Sequence, residues 1–449
     1  MHCGNRKHNN TTGVCMCLQC EEIEMEKRVA AAISDSARQL GIESLKDKQL
    51  EAVLKFVEGH DIFVSLPTGY GKSIIYAVLP LVFDKLKDSS GSIVLCISPL
   101  SSLMVDQSSK FTRSGLKAEF VGEAQLDQEA TKRVLDGVVQ LVFITPENIM
   151  NNARYRDMLQ SEVYMKKLVA LIVDEAHCVK TWGDQFRRAF AALGDLRSII
   201  PTEVNVMALT ATATIETFNI VSKRLSMKEP VLVALPPDRG NIFYTLEPKI
   251  DLERLSEDLC YGLCRKRTAY PKTVVFVRRY RDCSDLYIAL TRKLGEDMTD
   301  PPGYPNLSEY RLFDMFSSVQ TSEKKEQVIS SFLGTGMKLR LIIATSAFGL
   351  GIDCSDIRQI FHWGLPSNME EYVQETGRAG RDGLDAKATL FEGKGGQHSS
   401  ERLKEYVSNA TVCRRKLLFE GFLKYYDGSV RMSRSRCCDL CVLSCEKFD

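Results

Sequence analysis

The sequence predicts an α/β protein of two parallel-sheet domains followed by a small helical, cysteine-rich module. Three observations predict it. Short, nearly pure apolar runs alternate with helical stretches through most of the 449 residues. Such runs, without polar alternation, are strands buried on both faces, as in a parallel sheet between helix layers. They fall into two series, and only the first carries a glycine-rich loop ending in Gly-Lys-Ser. Finally, Cys413, Cys437, Cys438, Cys441 and Cys445 crowd into the C-terminal tail.

Composition narrows the class. Hydrophobic residues make up 44% and charged residues 26%, which is globular rather than disordered. No apolar run approaches membrane-spanning length, so no membrane partner is expected. The N-terminal MHCGNRKHNN lacks the apolar core of a signal peptide, so the protein is expected inside the cell. There, 15 cysteines suggest metal where they cluster, rather than a disulfide framework. A net charge of +1 does not announce a nucleic-acid partner; that would need local basic patches.

Taken in order, residues 1–25 read as a flexible polar leader. Its Cys3, Cys15, Cys17 and Cys20, near His2 and His8, could bind a metal, although their spacing fits no common zinc module. Residues 26–230 form the first domain, with strands expected at Ile62–Leu66, Ile93–Ser98, Leu141–Thr145, Leu168–Asp174 and Val206–Thr210. Residues 231–395 form the second, with strands at Val231–Leu235, Thr273–Val277, Leu341–Thr345, Ile357–Phe361 and Ala388–Phe391. Asp297–Ser308, rich in Pro, Gly and Asp, reads as a surface loop. GKGGQ after Glu392 links to the tail, residues 396–449.

The chemistry concentrates in two strings. LPTGYGKS (Leu66–Ser73) lies between a strand and a helix, the context of a nucleoside triphosphate site. Gly69 and Gly71 let successive N–H groups converge on phosphate oxygens. Thr68 belongs to the same loop, Lys72 can reach the β- and γ-phosphates, and Ser73 can ligate Mg²⁺. DEAH (Asp174–His177) follows the apolar run Leu171–Val173. Asp174 suits a water-mediated Mg²⁺ contact and Glu175 suits polarising the attacking water. Trp182, Phe186 and Arg187 come next. Aromatic faces stack on bases and Arg tracks a nucleic-acid backbone, but from the residues alone Trp182 reads first as a core or interface aromatic.

These strings, with ALTATAT (Ala208–Thr214), resemble helicases of superfamily 2. ISPLSSLMVDQ (Ile97–Gln107), DEAHCVKTWGDQFR (Asp174–Arg187) and ATSAFGLGIDCSDIRQIFH…QETGRAGRDG (Ala344–His362 and Gln374–Gly383) are similar to motifs of the RecQ family. The resemblance implies two RecA-like domains with ATP between them, and ATP-dependent 3′-to-5′ translocation on single-stranded DNA with unwinding of forked DNA. It implies a role in DNA repair, recombination and replication, in the nucleus of a eukaryote or the cytoplasm otherwise. Gln49 then corresponds to the residue reading the adenine edge. His177 corresponds to the link from the box to the DNA loop, and Trp182, Phe186 and Arg187 to the sensor of single strands. Gln374, Arg378 and Arg381 correspond to the last helicase motif, which delivers arginine to the γ-phosphate.

The tail looks like the zinc module that follows the motor domains in this family. Cys413, Cys437, Cys438 and Cys441 are the expected Zn²⁺ ligands, with Cys445 a competitor for one place. The sequence departs from the family at RLFDMFSS (Arg311–Ser318) and at DRGNIFY (Asp238–Tyr244), where Gly240 replaces a usual Pro. No winged-helix segment is expected. A DNA-stimulated ATPase or non-enzymatic DNA-binding relic with weak unwinding, or an RNA helicase, stands as the alternative function.

Overall fold

The computed structural model describes residues 18–99, 101–122, 125–181, 188–334, 336–349, 354–392, 399–423 and 437–445. Its first sheet has seven parallel strands: β1 (Ile62–Ser65), β2 (Ile93–Ile97), β3 (Ala118–Val121), β4 (Leu141–Ile144), β5 (Leu168–Val173), β6 (Asn205–Thr210) and β7 (Val231–Ala234). Their spatial order is β3-β4-β2-β5-β6-β1-β7. The second sheet has six parallel strands: β8 (Ile242–Glu247), β9 (Thr273–Val277), β10 (Phe313–Phe316), β11 (Leu341–Ala344), β12 (Gln359–Trp363) and β13 (Ala386–Phe391), ordered β10-β11-β9-β12-β13-β8.

The apolar runs form strands because both faces of each sheet are covered. Every residue of β1, β2, β4 and β5 is buried. The two-residue side-chain period divides each strand between two cores. Phe63, Leu95 and Leu171 enter one, while Val64, Cys96 and Ile172 enter the other. In the second sheet Phe276 and Ile342 face one core, and Val275 and Ile343 the opposite one. Each such fully buried side chain contributes about 1.5–3 kcal/mol relative to exposure.

Three expectations need correction. Val231–Ala234 does not open the second sheet. It pairs with β1, Ile62 opposite Val231, at the edge of the first. The crossover from β6 through helix Ile215–Arg224 passes over β1 and lays the strand on its far side; an apolar run does not say which sheet it joins. Second, β3, β8 and β10 were not expected. Glu119 and Asp314 interrupt the apolar runs of β3 and β10. Asp314 is buried there against Arg311 and Lys324, at 2.8 and 3.1 Å. Third, helix Leu18–Gln39 begins inside the expected flexible leader; residues 1–17 lie outside the described residues. Among the described residues, no helix is long and apolar enough to cross a membrane.

The tail supplies helices Glu401–Ser408, Arg414–Phe419 and Asp439–Cys445. The first packs on the second, and the last two pack on β8, with Phe419 edge-on to Tyr244 at 6.2 Å and the Leu246 N–H donating to Asp439 at 3.1 Å.

Candidate functional site at the cleft between the two sheets

The site forms at the carboxyl ends of β1, β5 and β6, where open parallel sheets bind ligands. The chain leaves β1 at Leu66, whose buried side chain anchors the loop and whose carbonyl accepts from Lys72 Nζ at 3.1 Å. Gly69 and Gly71 have φ of 80° and 90°, the left-handed region that disfavours any other residue. A Cβ on Gly71 would also stand 2.7 Å from Gln49 Nε2. Ser73 lies in the first turn of helix Lys72–Ala77. That helix gives way at Val78 to a second, Leu79–Leu86, with Pro80 at its start, where a missing N–H costs nothing.

Gln49 is buried beneath the loop. Its Nε2 donates to the carbonyls of Tyr70 and Gly71, both at 3.0 Å, and its Oε1 accepts from the Lys46 N–H at 2.9 Å. It therefore holds the phosphate loop in shape. Lys46 Nζ sits over the Tyr70 ring at 4.8 Å.

The box follows β5. The Asp174 N–H donates to Ile97 and the Ala176 N–H to Leu209, stitching the turn between β2 and β6. Glu175 has φ of 48°, a costly conformation for a residue with a Cβ. Its Oε2 is buried without a hydrogen bond. Asp174 accepts from Tyr76 Oη at 3.3 Å and from the Glu175 N–H at 2.9 Å. Burial, then the neighbouring Glu175 charge, pushes the Asp174 carboxyl up to about 6. Two adjacent carboxylates, one of whose oxygens makes no hydrogen bond and lies 3.4 Å from His177 Nδ1, fit a divalent cation. Desolvation pushes the Lys72 ammonium down, opposed by Glu175 and Asp174. Arg381 and Arg239, from the second half of the chain, lower it further. Both carboxylates and two arginines thus act on the loop lysine.

His177 reaches back to β6. Its Nδ1 lies 3.1 Å from Thr210 Oγ1, which itself donates to the Thr212 carbonyl at 3.1 Å. Thr210 therefore accepts, and the imidazole proton sits on Nδ1. Burial pushes His177 down, so the ring is neutral at pH 7. Trp182, Phe186 and Arg187 lie outside the described residues.

The second domain meets the loop at two points. Thr68 Oγ1 donates to the Gly377 carbonyl at 3.4 Å, and Arg239 Nη2 donates to the Thr68 carbonyl at 2.7 Å. Gln374 lies on helix Met369–Thr376, half-buried. The same helix presents Glu370 to the first domain. Its Oε1 accepts from Lys180 Nζ at 3.2 Å, Thr214 Oγ1 at 3.0 Å and Thr217 Oγ1 at 3.2 Å. Burial raises the Glu370 carboxyl, but the Lys180 ammonium and the hydroxyls outweigh it and hold the group below its usual value. Arg378 is buried and acts on Glu375. Arg239, Glu370 and Lys180 were missed in the sequence. Only the DRGNIFY string drew attention to the first.

Glu375 and His362 form a buried pair, Oε2 to Nε2 at 2.8 Å. Burial pushes Glu375 up to about 8 and His362 down to about 3. The pair therefore keeps one proton across neutral pH. Unfolded, the groups titrate near 4.5 and 6.5. Above about pH 6.5 the unfolded chain has released both protons and the folded pair one. Its contribution to stability should fall as pH rises towards 8, by up to about 1.4 kcal/mol per unit. Between the two unfolded values the contribution is flat, and below pH 4.5 it falls with falling pH. Thermal melts from pH 6.5 to 8.5 should show the decline, and Glu375→Gln should remove it. An unchanged slope in that variant would contradict the shared proton.

In the tail, Cys413, Cys437, Cys438 and Cys441 bring four sulfurs within 4.8 Å of one another. Cys413 Sγ is 3.4 Å from Cys437 Sγ and 3.9 Å from Cys438 Sγ. These bracket the edge of about 3.8 Å in a tetrahedron with Zn–S near 2.3 Å. Hydrogen bonds from Cys437 and Cys438 push the Cys413 thiol down, while Cys437 is pushed up by the same contacts and Cys441 to about 12 by burial. One thiolate suppresses the next, so full ionisation needs a cation among them. The cluster could bind zinc. Cys445 ends helix Asp439–Cys445.

Comparison with known proteins agrees with this geometry. Residues 46–220 match the DEAD/DEAH box helicase family and residues 255–383 the helicase conserved C-terminal domain. The chain is 29% identical to the ATP-dependent DNA helicase RecQ of Haemophilus influenzae over 95% of its own length and 65% of that protein's. It is a homologue of the RecQ helicases. The RecQ-like DNA helicase blm-1 of Caenorhabditis elegans is 28% identical over 89% of the chain and 40% of that protein. The chain thus spans less than two thirds of the length of these relatives. The DEAD-box helicase Mss116 bound to single-stranded RNA superposes with a TM-score of 0.65 at 14% identity, covering 86% of this chain and 82% of that one. At that identity the likeness establishes the fold alone, two RecA-like domains.

Proposed function

We propose that this RecQ homologue is an ATP-dependent 3′-to-5′ DNA helicase that couples hydrolysis to movement along single-stranded DNA and unwinds forked duplexes. The observation that carries the reading is the contact of the second domain with the phosphate loop beside Lys72, Asp174 and Glu175: Arg239 donates to the Thr68 carbonyl, and Thr68 donates to the Gly377 carbonyl in the motif that also holds Arg381. A nucleotide between them would be enclosed only while the domains are together, so turnover depends on closure. Lys72 and the loop N–H groups bind the β- and γ-phosphates, and Glu175 holds the attacking water. Asp174 and Ser73 would hold Mg²⁺, which supplies charge neutralisation at the phosphates. Arg381 serves as the arginine finger, and Gln49 fixes the loop beside the adenine. Zn²⁺ on Cys413, Cys437, Cys438 and Cys441 would be structural. The named activity of the sequence relatives favours DNA over RNA. In a eukaryote the site of action is the nucleus, and otherwise the cytoplasm.

Strand displacement with 3′- and 5′-tailed duplexes tests the proposal. The 3′-tailed substrate should be unwound in the presence of ATP, and unwinding of the 5′-tailed substrate alone would contradict it. Trp182 enters as the single-strand sensor, coupled to the catalytic carboxylate Glu175 through His177. Trp182→Ala should keep basal ATPase activity and lose its stimulation by single-stranded DNA. Binding should weaken by about 1–3 kcal/mol, the worth of one stacking platform. Full stimulation in that variant would make the loop ordinary packing.

A further inference from the structure

The segment that follows Cys413 meets both domains beside the nucleotide site. Arg415, buried on helix Arg414–Phe419, pairs with Asp238 and donates to the carbonyls of Arg239, at 2.9 Å, and Ile242. Its guanidinium also interacts with the Cys437 sulfur and lies over the Tyr244 ring at 5.1 Å. The turn it grips is the one whose Arg239 donates to the Thr68 carbonyl in the phosphate loop. The chain then leaves the helix and bonds to the first domain. The Ile215 N–H donates to Gly421 and the Leu423 N–H to Ala213 at 2.9 Å, at the end of the segment whose Thr210 receives His177.

We propose that Arg415 is a positioning residue that ties the cysteine cluster to the ATP site, acting through the Asp238–Arg239 turn on the phosphate loop. The path is contiguous: Cys437, Arg415, the Asp238–Arg239 turn, Arg239, Thr68. Its links at Asp238 and Cys437 are charge-assisted, the stronger kind of hydrogen bond. Arg415 is buried among Asp238, the Tyr244 ring and Cys437, so its position is set by the packing of the tail on β8. Losing the metal would loosen Cys437, release the turn and leave Thr68 without its donor. Nucleotide affinity thereby depends on a metal that never touches the nucleotide. The inference rests on the reading of the loop as an ATP site.

The test is equilibrium binding of a fluorescent ATP analogue, with metal content and melting temperature measured on the same samples. Arg415→Met and Arg239→Met should each weaken binding about tenfold. The double variant should be no weaker than either single one, because the two residues act in series. Arg415→Lys should recover little, since a compact ammonium cannot reproduce the planar fork that spans Asp238, two carbonyls and Cys437. Stripping the metal with a chelator should weaken binding in the wild type and add nothing in Arg239→Met. Wild-type affinity in Arg239→Met overturns the proposal, even if Arg415→Met proves too unstable to measure. Additive losses in the double variant overturn it as well. A wild type that binds no nucleotide overturns the ATP-site reading together with this one, whereas a wild type that binds alongside unaffected variants overturns the tether alone.

Discussion

Arg381→Ala should lower DNA-stimulated ATP turnover by about 10³- to 10⁵-fold while nucleotide still binds. The Arg381 charge is felt at Lys72, where it adds to the downward push that burial exerts on the ammonium. Without nucleotide that repulsion is unfavourable. With a γ-phosphate there the same charge becomes the stabilisation that grows as charge develops on the transferring group. Binding already has Lys72 and the loop N–H groups, so the loss falls on kcat rather than on affinity. Arg378 differs. It is buried and acts on Glu375, so Arg378→Ala should lower the melting temperature first. Single-turnover hydrolysis and analogue binding on both variants separate the roles. Arg381→Ala hydrolysis within tenfold of wild type would remove the finger assignment.

Removing one cysteine ligand should have the largest effect on stability. Metal binding to small zinc modules is worth on the order of 10 kcal/mol and is inseparable from their folding. Cys438 is fully buried at the centre of the cluster and abuts β8 through the Tyr244–Cys438 bridge. Cys438→Ser should reduce bound zinc from about one per chain to nearly none and lower the melting temperature. The tail helices should then become protease-sensitive. Retention of zinc in Cys438→Ser would contradict the cluster. Retention in Cys437→Ser with loss in Cys445→Ser would transfer the fourth place to Cys445.

What was legible in the sequence follows from distance along the chain. LPTGYGKS and DEAH are readable because phosphate binding needs its N–H groups, ammonium and hydroxyl within one turn of chain, and water activation needs two adjacent carboxylates. The buried strands were readable because both sheet faces are covered. The sheet joined by Val231–Ala234 was not, since pairing partners leave no mark on an apolar run. The meaning of Arg239, Glu370 and Arg415 was equally hidden. Arg239 meets Thr68 across 171 residues and Arg415 meets Asp238 across 177; in the sequence each is one more charged side chain. The strained φ of Glu175 has no sequence signature at all.

The measurement that bears most directly on the central claim is the steady-state ATPase rate against concentration of single-stranded DNA, with RNA of matching sequence in parallel and Lys72→Ala as the control. Coupled hydrolysis across the two-domain cleft predicts a low basal rate, saturable stimulation by DNA well above that by RNA, and no turnover in Lys72→Ala. A rate unmoved by DNA, or one that survives Lys72→Ala, would contradict it.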